Sequence, residues 1–342
     1  MGFRTTQLIH VAAKLGIADV LKDGPQDASA LARAVGAHPR ALYRLLRALA
    51  SLGIFAETTD GRFQVTPLAQ TLQSDTPRSL RDLALLYGDA WVWDVYGRTL
   101  HSVVTGLPAF DRVHGRTLFE HLQRDAEAAS AFDRGMTAYS EQEALAILGA
   151  YDFTDAVHLI DVGGGQGALL AAILAARPEA RGVLFEQPDV VERAREVMRR
   201  AAVADRCAMV PGDFFEGVPA GGDLYLLKSV LHNWDDARSR TILRNCHDSM
   251  PSRSRLLVIE RVVPEGGGAS DAKLFDINML VMLSGLERTT GEYRRLLEDT
   301  GFELRRVIPT QAPLSILEAV PARLHHPDPS SILPTASERR ST

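Results

Sequence analysis

Apolar residues recur at helical spacing from the first turns of the chain. Leu8, Val11, Ala12, Leu15 and Ile17 lie on one helical face, residues 30–35 form a second short helix, and Pro39 opens a third that runs to about Ser51. On the third helix Leu42, Leu45, Leu46, Leu49 and Leu52 share one face, Arg40, Arg44 and Arg47 share another, and Gly53 ends it. Alternation then replaces helical spacing: residues 54–57 and 62–65 flank a turn in which Asp60 and Gly61 suit positive φ, as in a β-hairpin. Short helices followed by a hairpin are the order of a winged helix. Residues 76–150 read as helix throughout, with Tyr87, Trp91, Trp93, Tyr96 and Phe110 clustered and Phe132, Met136 and Tyr139 at i, i+4 and i+7.

From Val157 onward strands and helices alternate. Strands are predicted at 157–162, 182–186, 207–210, 224–230, 256–263, 303–308 and 314–320, which implies a doubly wound α/β sheet of seven strands. The link at 309–313 is too short for a right-handed parallel crossover, so one of the last two strands runs antiparallel.

The chain of 342 residues is about twice a typical domain of roughly 150, in keeping with two patterns that change near residue 150. Apolar residues make up 46% and charged residues 24%, an ordinary globular composition that excludes fibrous and wholly disordered classes. The longest apolar run, 168–176, falls far short of the roughly 20 residues needed to cross a bilayer, so no membrane span is expected. A net charge of -5 gives no overall pull toward nucleic acid. The three arginines on the third helix suit phosphates, yet residues 1–100 carry only a small basic excess, and a solvated face on a packing or dimerisation module is the preferred reading. Cys207 and Cys246 build neither a disulfide framework nor a zinc site, and with no secretory leader in the first turns the expected location is cytoplasmic. Residues 323–342, rich in Pro and Ser, are expected to be a disordered tail.

The first strand of the second domain ends in Asp161-Val162-Gly163-Gly164-Gly165-Gln166-Gly167 and passes directly into a helix. Glycines there let backbone amides approach a ligand at a switch point of the sheet, and Glu186, 19 residues after Gly167, suits the hydroxyls of a ribose. A nucleotide-like cofactor follows. The G-x-G-x-G spacing departs from the dinucleotide fingerprint without deciding between a dinucleotide and S-adenosylmethionine. Asp213 and Phe214, after the third strand, suit an adenine amino group and its ring.

The densest chemistry lies at the end of the fourth strand. In Leu231-His232-Asn233-Trp234-Asp235-Asp236, His232 sits where the chain leaves the sheet and before a helix that Asp235 or Asp236 can cap. An imidazole is suited to accept a proton near neutral pH. Glu260, ending the fifth strand, and Glu287, after a later helix, are both candidates to hold its NH and stabilise the imidazolium. The chain offers no HExxH, no Cys pair and no carboxylate set with ligand spacing, so no metal is expected.

The glycine-rich run at 161–167, Phe185-Glu186-Gln187-Pro188, Gly212-Asp213-Phe214-Phe215, the His232 motif and Glu287-Arg288-Thr289 together resemble the S-adenosylmethionine-dependent small-molecule O-methyltransferases, plant caffeate and flavonoid enzymes and bacterial polyketide-tailoring enzymes of secondary metabolism among them. The resemblance covers roughly residues 5–320. It implies a class I methyltransferase sheet over 151–322, a winged-helix dimerisation domain over 1–100 that forms a homodimer, and a helical connector over 101–150 that contributes to the substrate pocket. Gly163 and Gly165 would flank the methionine part of the cofactor, Glu186 would bind its ribose, Asp213 and Phe214 its adenine, and Lys228 would help close the site. His232 would be the general base beside Glu260 and Glu287. Phe132, Met136, Trp91, Asn233 and Met279 would face an aromatic acceptor whose hydroxyl, of phenolic type, receives the methyl group; S-adenosylhomocysteine is the second product.

Two positions depart from the family pattern: Glu186 stands where Asp is common, and Asn233 where a second acid often follows the base. The rival readings are an enzyme of the same fold with non-methylating chemistry, a winged-helix ligand sensor, and an NAD-dependent oxidoreductase.

Overall fold

The computed structural model describes residues 2–76 and 79–322. The tail expected to be disordered, 323–342, lies outside the described residues. Helices Gly2–Lys14, Ile17–Val20, Ala28–Val35 and Pro39–Ser51 lead into an antiparallel hairpin of β1, Phe55–Glu57, and β2, Phe63–Val65. Leu31, Leu46, Leu49, Phe55 and Phe63 are its buried centre. The leucine stripe is one residue shorter than its spacing suggests: the helix stops at Ser51, the chain turns at Gly53 with φ 72°, and Leu52 is left 48% exposed. Arg40 and Arg47 flank the Tyr43 ring at 6.0 and 5.6 Å, so part of the basic face is used in packing on an aromatic side chain.

The stretch read as uniformly helical is a chain of five short helices between Arg81 and Arg124 followed by Ala126–Ala150. Gly106 and Gly115, both at positive φ, end two of the short ones. The long helix packs against Arg81–Gly88 on one side and against Ala168–Ala176 of the second domain on the other, which carries its aromatic stripe to the junction of the two.

The second domain holds β3, His158–Val162; β4, Arg181–Glu186; β5, Cys207–Pro211; β6, Leu224–Lys228; β7, Arg255–Glu260; β8, Val262–Val263; β9, Arg288–Thr289; β10, Phe302–Pro309; and β11, Ser315–Pro321. Seven of these form one sheet in the order β10-β11-β7-β6-β3-β4-β5. All pairings are parallel except those of β11, which runs antiparallel to both neighbours, as the short link before it requires. Alternate residues feed two cores: Leu159, Leu224 and Leu226 one face, Ile160, Val162, Tyr225 and Leu227 the other.

Two strand ends differ from the sequence pattern. The strand predicted to reach residue 230 ends at Lys228, because Ser229 takes a left-handed conformation at φ 54° and Val230 a helical one. The strand predicted over 256–263 breaks at Arg261: β7 stays in the large sheet, while Val262 and Val263 pair in parallel with Arg288 and Thr289. Strand order reverses where β3 lies between β4 and β6, so the turns leaving β3 and β6 open the crevice where such sheets hold ligands.

Candidate active site

Beyond the strained Ser229, Leu231–Asn233 form one turn of 3-10 helix, and Asp235 caps the helix Asp236–Ser249 by accepting from the Arg238 amide at 2.8 Å. His232 is buried, and the two predicted glutamates treat it differently. Glu287 Oε1 lies 2.7 Å from His232 Nδ1. Glu260 Oε2 stands 3.6 Å from the same nitrogen, while its Oε1 accepts backbone amides of Val230, Leu231 and His232 at 3.0, 2.9 and 3.3 Å. Glu260 shapes the loop and Glu287 orients the ring.

With Nδ1–H donated to Glu287, Nε2 is the proton-accepting nitrogen, and among the described residues no hydrogen bond engages it. Burial by itself would lower the His232 pKa; the Glu260 charge and the Glu287 hydrogen bond and charge outweigh it and raise it. Burial also raises the Glu260 carboxyl, against the pull of His232.

Val262 and Val263 pairing with Arg288 and Thr289 is what carries Glu287 to the histidine. Three further residues hold the arrangement. Asp276 Oδ1 accepts the Glu287 amide at 2.8 Å. Buried Arg288 donates to the Leu231 and Trp234 carbonyls at 3.1 and 2.9 Å and forms a two-armed contact with Asp236 Oδ1 at 3.0 and 2.9 Å. Gly285 passes so close that a Cβ there would stand 1.9 Å from the His232 carbonyl oxygen. Arg288 was visible in its motif, but no local pattern marks Gly285.

The sequence showed no carboxylate set with ligand spacing, yet folding gathers one: His232, Glu260 and Glu287 offer ligand atoms within 4.8 Å of one another. Distant segments, not spacing, make that cluster. Its hydrogen bonds already occupy His232 Nδ1 and Glu260 Oε1.

Across the crevice, Gly163 and Gly165 have φ 68° and 58°, conformations that favour glycine, and Glu186 Oε2 accepts the Gly165 amide at 3.0 Å. The Glu186 carboxyl is raised by burial, against the Gln187 and Gly165 amides that lower it. Phe214 lies against Gly163, 3.3 Å from where its Cβ would be, and Asp213 Oδ1 accepts the Phe215 amide at 2.8 Å. Lys228 reaches into the helical connector, 2.7 Å from Glu143 Oε2 and 3.2 Å from Ser140 Oγ. Asp161, unassigned in the sequence, is the telling addition: it is fully buried, neither carboxylate oxygen has a hydrogen-bond partner among the described residues, and burial, opposed by Lys228, pushes its pKa up to about 7. An orphaned acid beside a glycine cradle fits a cofactor with a cationic amino-acid end and a ribose.

The residues expected to face an acceptor lie in or near one apolar cluster, apart from Asn233. Phe132, Met136 and Trp91 pack against a cluster that includes Phe110, Val281 and Met282. Met279 is buried on the helix Asp271–Met282, one turn from that cluster. Asn233 is used locally, donating from Nδ2 to the Ser229 carbonyl at 3.2 Å.

Residues 97–303 match the family model of the O-methyltransferase domain, and residues 1–75 that of the O-methyltransferase dimerisation domain. The chain belongs to the O-methyltransferase family. The phenazine O-methyltransferase of Lysobacter antibioticus is 46% identical over 320 residues, 94% of each chain. A methyltransferase of calicheamicin biosynthesis, solved with S-adenosylhomocysteine bound, superposes with a TM-score of 0.85 at 38% identity over 94% of this chain and 96% of that one. An O-methyltransferase of neocarzinostatin biosynthesis, solved with S-adenosylmethionine and 2-hydroxy-5-methyl naphthoic acid, gives 0.78 at 31% identity over 93% and 96%. This O-methyltransferase is an S-adenosylmethionine-dependent enzyme of the class I fold, of the kind found in bacterial secondary metabolism. Among its described residues no helix is long and apolar enough to cross a membrane.

Proposed function

We propose that the enzyme methylates a phenolic hydroxyl on a flat aromatic or polyketide-type acceptor, with His232 as general base. The observation that carries this is the His232 ring itself: Nδ1 is tied to Glu287 at 2.7 Å, while among the described residues no hydrogen bond engages Nε2. S-adenosylmethionine, when bound, supplies a methyl group made electrophilic by its sulfonium. Asp161 would meet its ammonium, Glu186 its ribose, Asp213 and Phe214 its adenine, with Gly163 and Gly165 beside the methionine part and Lys228 closing the cleft onto the connector.

The chain's own work is placement and proton removal. Phe132, Met136, Trp91 and Met279 hold the acceptor's ring, Asn233 and Glu260 keep the loop in shape, and His232 Nε2 takes the hydroxyl proton. Glu287 keeps Nδ1 protonated and stabilises the imidazolium as it forms. An aromatic acceptor is supported by this apolar wall and by the naphthoic acid bound to the relative from neocarzinostatin biosynthesis.

We read the reaction as metal-independent, since the sulfonium by itself makes the methyl electrophilic and His232 Nδ1 is already tied to Glu287, and we expect a cytoplasmic homodimer that binds neither nucleic acid nor membrane. The domain limits follow: 1–100 for dimerisation, 101–150 for the connector, 151–322 for the cofactor domain. The test is a mass-spectrometric screen of phenols, hydroxynaphthoates and aromatic amines with S-adenosylmethionine. A mass gain of one methylene, reduced about 10²- to 10⁴-fold in His232→Ala and unaffected by EDTA, is expected. Near wild-type turnover in that variant would remove His232 as the base.

A further inference from the structure

Arg261, the residue at which the predicted strand breaks, is only 5% exposed. It lies between two aromatic rings, its guanidinium carbon 3.9 Å from the Phe275 centroid and 5.9 Å from that of Tyr139. Both rings belong to the site: Phe275 stacks on His232 at 6.2 Å and 15°, and Tyr139 continues the stripe of Phe132 and Met136 on the long helix. Stacking occupies the faces of a guanidinium and leaves its five N–H donors in the plane between them. Among the described residues Nε is buried without a hydrogen-bond partner. The nearest carboxylate, on exposed Asp271, stands 3.8 Å from Nε, beyond hydrogen-bond length.

A charge this deeply buried and this poorly partnered is costly unless an anion joins it. We propose that Arg261 is the anion anchor of the acceptor pocket, taking the carboxylate of a hydroxylated aryl carboxylic acid while the hydroxyl of that acid meets His232 Nε2. The steps of 6.2 and 3.9 Å through Phe275 bring the guanidinium within the length of a one- or two-ring acid. A planar two-donor edge matches a carboxylate, and the stack on Phe275 fixes the edge's direction. The assignment rests on the reading of His232 as the acceptor's base, and it adds the acceptor's charge.

The test titrates the full chain, loaded with S-adenosylhomocysteine, with hydroxybenzoates and hydroxynaphthoates, each beside its carboxamide, which keeps the shape and removes the charge. Wild type is expected to bind the acids at least about tenfold more tightly than the amides. Arg261→Met should weaken the acids roughly 10- to 100-fold and leave the amides within about twofold, with Arg261→Lys in between because it keeps the charge but not the planar edge. Equal binding of acid and amide by wild type, binding of no acid, or equal losses of both classes in Arg261→Met would overturn the anchor, the last by reducing Arg261 to packing between Phe275 and Tyr139. The two readings fail separately. Wild type that methylates the amides yet shows no preference for acids keeps the reaction and loses the anchor; Arg261-dependent binding of acids with no methyl gain on any phenol keeps the anchor and loses the reaction.

Discussion

Glu287 Oε1 meets His232 Nδ1 at 2.7 Å although 55 residues separate them, and the contact exists because Val262 and Val263 pair with Arg288 and Thr289. The glutamate sets both the tautomer and the basicity of the ring.

The acid limb of activity follows from that contact. A base must be neutral to accept a proton, and the His232 pKa is raised above 6.5, so kcat/KM is expected to fall as pH drops through a value above 6.5. Glu287→Gln removes a charge that favours the imidazolium, so the limb should move to lower pH while the plateau rate drops about 10- to 100-fold. A pH-rate profile in which the variant's limb stays in place would separate Glu287 from the base.

Gly285→Ala should damage catalysis without touching either substrate. Its Cβ would stand 1.9 Å from the His232 carbonyl oxygen, a backbone atom that has no rotamer with which to yield. Forced displacement of this kind costs about 1–3 kcal/mol. A lowered Tm, lost turnover and nearly unchanged cofactor affinity are expected; wild-type Tm and turnover would show that the loop tolerates the methyl.

Asp161 makes cofactor binding depend on pH. Its carboxyl, pushed up to about 7, holds a proton at lower pH, and pairing with an ammonium requires that proton to leave. Affinity for S-adenosylmethionine should therefore weaken as pH falls below about 7, approaching tenfold per unit, with proton release on binding visible as a buffer-dependent calorimetric heat. The ligand-free protein shows the converse. A folded pKa raised above the unfolded 3.8 destabilises the ionised form, so stability falls as pH rises through that window to about 7. Asp161→Asn should abolish both dependences, and a pH-independent Kd in wild type would refute the assignment.

Glu186→Ala should raise the dissociation constant for S-adenosylmethionine roughly 10- to 100-fold, while Glu186→Asp, which keeps the carboxylate, recovers most of the loss. The same carboxylate accepts the Gly165 amide, so calorimetry on the alanine variant reads both the ribose contact and a loosened turn. An unchanged constant would count against Glu186 at the ribose.

Periodicity alone determined the winged-helix order, the run of sheet strands and the single reversed strand, because apolar spacing and a link too short to cross over are local properties of the chain. The glycine turn, Glu186, His232 and its two glutamates were equally legible, since each stands at a strand end or inside a compact motif. Which glutamate holds the imidazole was decided only in three dimensions, where Glu260 turns one oxygen to three backbone amides and Glu287 reaches the ring. Folding likewise decided the clustering of three potential metal ligands, the close passage of Gly285, the orphaned acid at Asp161 and the ring-bound guanidinium of Arg261. Each depends on what a distant segment leaves beside it, and burial and partnership are relations between segments that spacing along one chain does not encode.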